Sequence, residues 1–284
     1  MAKDYSMSLK VIGIGGAAVL VFLWLASMGL QRSFKPDETQ RVADRAARSD
    51  FDKERAMALA VRLYEGGPDA IAETLTKSWR SSGLEVRHVA GGVSATYAGR
   101  PQGGVALVAA RHEGDRAGGA IADAAPTALL AEIARVFKPL PVGKAPSFLW
   151  LDSAADAAEA LRQLAPGAIV VLEGVGDCYL RVSADPDAPD WMRDRLLDTA
   201  ESLGYRQHFS RSGPPPKDAL GIRGEYSNTL YLADPILGGS LTEHARLTQP
   251  GNDTPAALCP NSLQAVGDVL YHAIPAWEGG MDGQ

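Results

Sequence analysis

A three-layer α/β/α sandwich around a mostly parallel, mixed sheet is the fold this sequence predicts, on three observations. Short apolar runs without a helical stripe, Val105 to Ala110 (VALVAA), Ser147 to Leu151 (SFLWL) and Ala168 to Val175 (AIVVLEGV), read as strands buried on both faces. Helical periodicity lies between them, in Ala124 to Lys138 with apolar residues at 126, 129, 130, 133 and 137, and in the alanine-rich Ala154 to Leu164. Charged residues close the strands: Arg111, His112, Glu113 and Asp115 after the first, Asp152 after the second, Glu173 near the end of the third. Open α/β sheets bind ligands in the crevice beyond the strand carboxyl ends.

The other elements follow in order. Ser49 and Asp52 make a capping-box-like start for a helix through Glu65, which Gly66, Gly67 and Pro68 end. A second helix, Asp69 to Ser82, stops at Gly83. Leu84 to Ala90 and Val93 to Tyr97 read as a hairpin turning at Gly91 and Gly92. Beyond Glu173, Tyr179 to Ser183 alternates like an edge strand, and Asp190 is expected to cap a helix over Trp191 to Leu203 closed by Gly204. GPPPK, Gly213 to Lys217, is a rigid loop. Thr229 to Ala233 is a strand, Gly238 to Pro260 reads as loop, and Ser262 to Ile274 is the last helix, with Leu263, Val266 and Leu270 on one face.

At 284 residues, 22% charged and 46% hydrophobic, the chain suits one large globular domain plus an appendage. A net charge of -6 disfavours a nucleic-acid binder, which needs a basic face, and no nucleic-acid motif is present. Val11 to Leu30 holds twenty residues without a charge, the length of a membrane-crossing helix. The expected organisation is a short tail over 1–10, a transmembrane helix over 11–30, a juxtamembrane linker over 31–48 and an α/β domain over 49–284. The run is long for a signal-peptide core and no clean small-x-small cleavage site follows it, so it reads as an uncleaved anchor that partners the lipid bilayer. Lys3 and Lys10 precede it, and Arg32, Lys35, Arg41, Arg45 and Arg48 follow, which opposes a simple positive-inside orientation. Long domains translocate despite such a bias, and the domain is expected in the periplasm or a lumen. There, Cys178 and Cys259, the only cysteines, have either a disulfide or two buried free thiols open to them; neither lies in a C-x-x-C metal or redox motif.

The order of phrases resembles the zinc-dependent aminopeptidases and their relatives the glutaminyl cyclases, over roughly Phe51 to Trp277. GLEVRHV (Gly83 to Val89) is similar to the phrase entering that family's first strand, and VALVAARHEGD to the strand ending Ala-His-x-Asp. GAIADAAPTALLAEIAR (Gly119 to Arg135) resembles the Gly-Ala-Asn-Asp-Asp-Ala-Ser-Gly turn and helix, SFLWLDSAAD the strand ending Asp-Gly-Glu-Glu, VVLEGVG the Asn-Leu-Asp-Met-Val-Gly strand, and NDTPAALCPNSLQAVGDVLY the closing Asp-Thr-Pro loop and helix. The resemblance implies a site for one or two zinc ions held by two histidines and several carboxylates, with a separate glutamate as base. Zinc in such a site lowers the pKa of its bound water and polarises the scissile carbonyl.

Matched residue by residue, that site is depleted. His112 falls on the first histidine and Glu173 on a carboxylate ligand. The bridging aspartate falls on Ala122, and only a slip of one residue recruits Asp123. The base and its neighbouring ligand fall on Ala154 and Ala155. The second histidine falls near Thr248 and Gln249, with His244 reachable only through a loop insertion. Read simply, His112 hydrogen-bonds Glu113 or Asp115, Glu173 pairs with Arg111 or Arg181, Asp152 caps a helix, and Asp253 and Thr254 shape a local turn. His88, His208 and His272 read as structural or exposed. An alanine cannot carry a proton, and acid and base steps are each worth about 10²–10⁴-fold in rate. The sequence therefore points to an inactive member that needs no cofactor and binds a peptide or a protein partner as a scaffold subunit. The alternative is a divergent zinc metallopeptidase or cyclase built on His112, Asp123, Glu173 and His244. One N-terminal membrane helix followed at once by such a domain also resembles, in architecture, the large lumenal subunit of GPI transamidase, although this chain has no later membrane span.

Overall fold

The structure, a computed structural model, describes residues 49–100, 102–111, 119–138, 145–183, 185–211, 215–249 and 251–281. The expected membrane helix over 11–30, the linker over 31–48 and His112 lie outside the described residues. Among the described residues no helix is long and apolar enough to cross a membrane.

A six-stranded mixed sheet forms the middle layer. Its strands are β1 (Leu84–Val89), β2 (Gly92–Tyr97), β3 (Val105–Ala110), β4 (Ser147–Leu151), β5 (Ala168–Glu173) and β8 (Thr229–Ala233), in the order β1-β2-β4-β3-β5-β8. β4, β3, β5 and β8 run parallel, and the β1–β2 hairpin adds antiparallel at one edge. The expected Tyr179 to Ser183 strand shrinks to β6 (Val182–Ser183), which pairs in a small separate sheet with β7 (Phe209–Ser210).

Helices α1 (Lys53–Gly66), α2 (Pro68–Ser81), α3 (Ala125–Phe137), α5 (Asp190–Ser202) and α7 (Pro260–Met281) contribute to the main core on one sheet face. Period-two alternation divides the strands between the faces. Leu107, Trp150, Val170 and Leu232 point into that core, whereas Val108, Leu149, Val171 and Tyr231 meet Ala160 and Leu161 of α4 (Ala157–Leu164) and Ile222 of a loop on the other. Every residue of β3 is buried, and each buried leucine or valine there stabilises the fold by about 1.5–3 kcal/mol.

Local chemistry sets several boundaries. Asp52 caps α1 by accepting from the Glu54 and Arg55 amides, and Gly67, at φ 68°, lets the chain turn into α2. Asp190 does not cap α5: Pro189 holds that position, and Asp190 sits in the first turn, paired with Arg193. The stretch read as loop from Gly238 contains α6 (Leu241–Leu247), capped by Ser240 accepting from the Glu243 amide. A helix of seven residues whose apolar residues are two leucines and an alanine leaves no readable stripe.

Candidate functional site

β3 is the topological switch point: the chain leaves it towards β4 on one side and returns to β5 on the other. Beyond its carboxyl end the Arg111 amide donates to Leu151 O at 2.8 Å, and its guanidinium meets Asp152 Oδ1 at 2.7 Å. Asp152, half-exposed, thus engages Arg111 at the rim. Asp152 is not a helix cap either; Ser153 takes that place, accepting from the Ala155 amide at 3.1 Å.

Ala154 and Ala155 follow in a single 3₁₀ turn (Ala154–Asp156) at the rim. Arg111, Ala154 and Glu173, with Ala110, Val171 and Leu220, line a cavity of about 290 Å³. Its walls are apolar apart from the guanidinium and the carboxylate. Asp156 points elsewhere, over the hairpin turn, where a Cβ on Gly91 would come within 2.2 Å of Asp156 Oδ2.

The segment matched to the bridging aspartate folds as a π-turn, Ala120–Ala124, in which the Ala124 amide reaches back five residues to Gly119 O at 3.1 Å. A π-turn carries one more residue than an α-helical turn. Asp123, 3% exposed, lines a narrow cleft with Arg111, Tyr64 and Gly119.

Asp253 holds this turn from a distance. Its Oδ1 accepts from the Ile121 amide at 2.8 Å, its Oδ2 from the Ala122 amide at 2.9 Å, and its carbonyl from the Ala120 amide at 3.1 Å. Only a glycine fits at 119, because a Cβ there would stand 2.2 Å from Asp253 Oδ2. Burial pushes the Asp253 carboxyl above the usual carboxylate range against the pull of those amides, and neighbouring Asp123 raises it further. Its role is long-range, not the local turn expected of it.

Two further acids went unread in the sequence. Asp177, 2% exposed, accepts from the Tyr179 amide at 2.7 Å and the Gly238 amide at 2.5 Å; burial raises its pKa. Asp234, directly after β8, accepts from the Arg181 amide at 2.7 Å and the Ile236 amide at 2.9 Å. Burial, with Asp177 adding to it, pushes the Asp234 carboxyl up to about 7. An acid directly after a buried strand was the available signal. His244 lies in α6, its Nδ1 accepting from the Leu237 amide at 3.2 Å. Of the remaining histidines, His88 is exposed on β1, while His208 Nδ1 lies 3.2 Å from Leu180 O, a structural contact.

The structure thus brings Arg111, Ala154 and Glu173 to one cavity and Arg111 with Asp123 to another, while His244 is engaged with its own loop. Among the described residues no three His, Cys, Asp or Glu side chains gather where they could hold a metal ion, so the described acids do not by themselves fit a zinc site.

Sheet order, crossovers and the crevice at β3 define an α/β fold of the zinc-exopeptidase kind. Solved structures with that fold include a glutaminyl cyclase from Porphyromonas gingivalis (TM-score 0.64, 17% identity, covering 80% of this chain and 98% of that one). A Zn-dependent exopeptidase from Parabacteroides distasonis superposes with TM-score 0.62 at 15% identity over 79% of this chain and 98% of its own. A leucine aminopeptidase precursor from Bacteroides thetaiotaomicron gives 0.61 at 16% identity over 79% and 97%. By sequence, no protein-family model and no curated protein matches the chain. The fold is that of glutaminyl cyclases and Zn-dependent exopeptidases.

Proposed function

We propose that this chain is a divergent, non-hydrolytic member of the aminopeptidase and glutaminyl cyclase group, anchored in a membrane through 11–30 and serving as a binding or scaffold subunit with its domain outside the cytoplasm. One observation carries the reading: Ala154, at the cavity wall, and Ala155, exposed beside it, occupy the turn beyond β4, where the resemblance asks for a base and a ligand. A cavity with apolar walls, one guanidinium and one carboxylate suits holding a peptide end, and alanine offers nothing to move a proton. Tyr179 and Leu241, 66% and 74% exposed, are the large hydrophobics exposed among the described residues. They lie near each other on the rim, since Tyr179 packs against Gly239, which supports a protein partner there.

Extraction of the full chain in mild detergent tests this. A stoichiometric partner should co-purify with the parent and diminish in a Tyr179→Ser, Leu241→Ser variant; a solitary protein indifferent to both changes contradicts the reading.

A second reading draws on Asp123, which the π-turn places beside Arg111. In it the chain is a divergent zinc metallopeptidase or cyclase using His112, Asp123, Glu173 and His244. That reading expects His112→Ala to abolish a chelator-sensitive activity of the parent; a parent without activity, or activity surviving the change, removes it.

A further inference from the structure

Cys178 and Cys259, far apart in sequence, meet at the rim. Asp177 and Leu258 form an isolated antiparallel bridge, and the Cys259 amide donates to Gly176 O at 2.7 Å. The two cysteines flank that bridge diagonally, one at each end, and their side chains leave on the face opposite to Asp177 and Leu258. Cys178 Sγ stands 3.9 Å from Leu258 O, and its thiol meets that of Cys259. Both are free thiols in the structure, Cys178 exposed and Cys259 half-buried.

The segments they join hold the rest of the rim. The loop before α7 carries Asp253, whose carboxylate grips the π-turn amides of Ile121 and Ala122. The loop after β5 carries Asp177, whose carboxylate takes the Gly238 amide and whose carbonyl accepts from Ser262 Oγ. We propose that Cys178 and Cys259 form a reversible disulfide that clamps the loop after β5 to the loop before α7 and thereby stiffens the rim of the candidate site. The inference stands apart from the proposed function, since it requires neither a partner nor a catalytic role.

The oxidant is a small-molecule disulfide such as oxidised glutathione. One cysteine thiolate attacks a sulfur of it and expels a glutathione thiolate; the second cysteine then displaces the other glutathione. Two protein S–H bonds are lost, one S–S bond forms, and two reduced glutathiones carry away the two electrons and the two protons. Burial, and then the Cys259 thiol beside it, push the Cys178 thiol up to about 11. Thiolate at Cys178 is therefore scarce at neutral pH, and attack by that cysteine should quicken as pH rises from 7 to 9.

The full chain in detergent, treated with oxidised glutathione and digested without reduction, should yield one peptide linking Cys178 to Cys259. Amide hydrogen exchange at Ile121 and Gly238 should slow at least tenfold on oxidation and recover on reduction with dithiothreitol. Comparing the parent in its two redox states needs no variant to fold; a Cys178→Ser, Cys259→Ser protein should show no redox dependence at all. Separate glutathione adducts on the two cysteines without a link would overturn the disulfide, and a link that leaves Ile121 and Gly238 exchange unchanged would overturn the clamp.

Discussion

The turn beyond β4 and the loops beyond β5 and β8 border the same crevice and use acids in opposite ways. Beyond β4 the acids are at the surface: Asp152 pairs with Arg111, Asp156 covers Gly91, and alanines stand between them. Beyond β5 and β8, and in the loop before α7, Asp177, Asp234 and Asp253 are buried and each accepts from two or more backbone amides. A carboxylate committed to backbone N–H groups fixes loop geometry. The contrast teaches that acids near a sheet's carboxyl end need not be chemical residues; here three buried ones act as tethers.

The comparison breaks first at Asp253. Asp253→Ala leaves two π-turn amides without acceptors, and hydrogen bonds to a charged group are each worth about 1.5–3 kcal/mol. A stability loss on the order of 3 kcal/mol is expected in urea unfolding, with faster exchange at Ile121 and Ala122; a loss below about 1 kcal/mol would deny the tether. Asp234 sharpens it through pH. Its folded pKa, about 7, lies above the unfolded carboxylate value, so the folded state binds more protons between those values. Its contribution is full below the unfolded pKa and is lost as pH rises through about 7. Stability of the parent should therefore fall between about pH 4 and pH 7 by up to a few kcal/mol, and Asp234→Asn should flatten that slope. Asp152→Asn, at the exposed end, should cost no more than about 1 kcal/mol. Smallest of all, Ala155→Glu on the exposed turn should shift stability within roughly 0.5 kcal/mol. If instead it confers zinc-dependent hydrolysis, the depleted side of the crevice was one residue from activity.

The four parallel strands were legible because full burial writes itself as an unbroken apolar run, as in VALVAA and SFLWL. Thr229–Ala233 matched to the residue. The last helix ran further than expected, through Pro275 to Met281. The tethers were not legible, because Asp253 acts on residues more than a hundred positions away and nothing local distinguishes it from a turn-former. The contact of Arg111 with Asp152 was not legible, because the two residues come together only once β3 and β4 are known to be neighbours.

The central claim, a scaffold retained for recognition without its chemistry, is tested most directly by zinc content measured alongside activity on the purified full chain. The account predicts well under one zinc per chain after exhaustive dialysis, and neither release of N-terminal residues nor cyclisation of an N-terminal glutamine. One tightly held zinc per chain, with either activity lost to a chelator and restored by zinc, would contradict it.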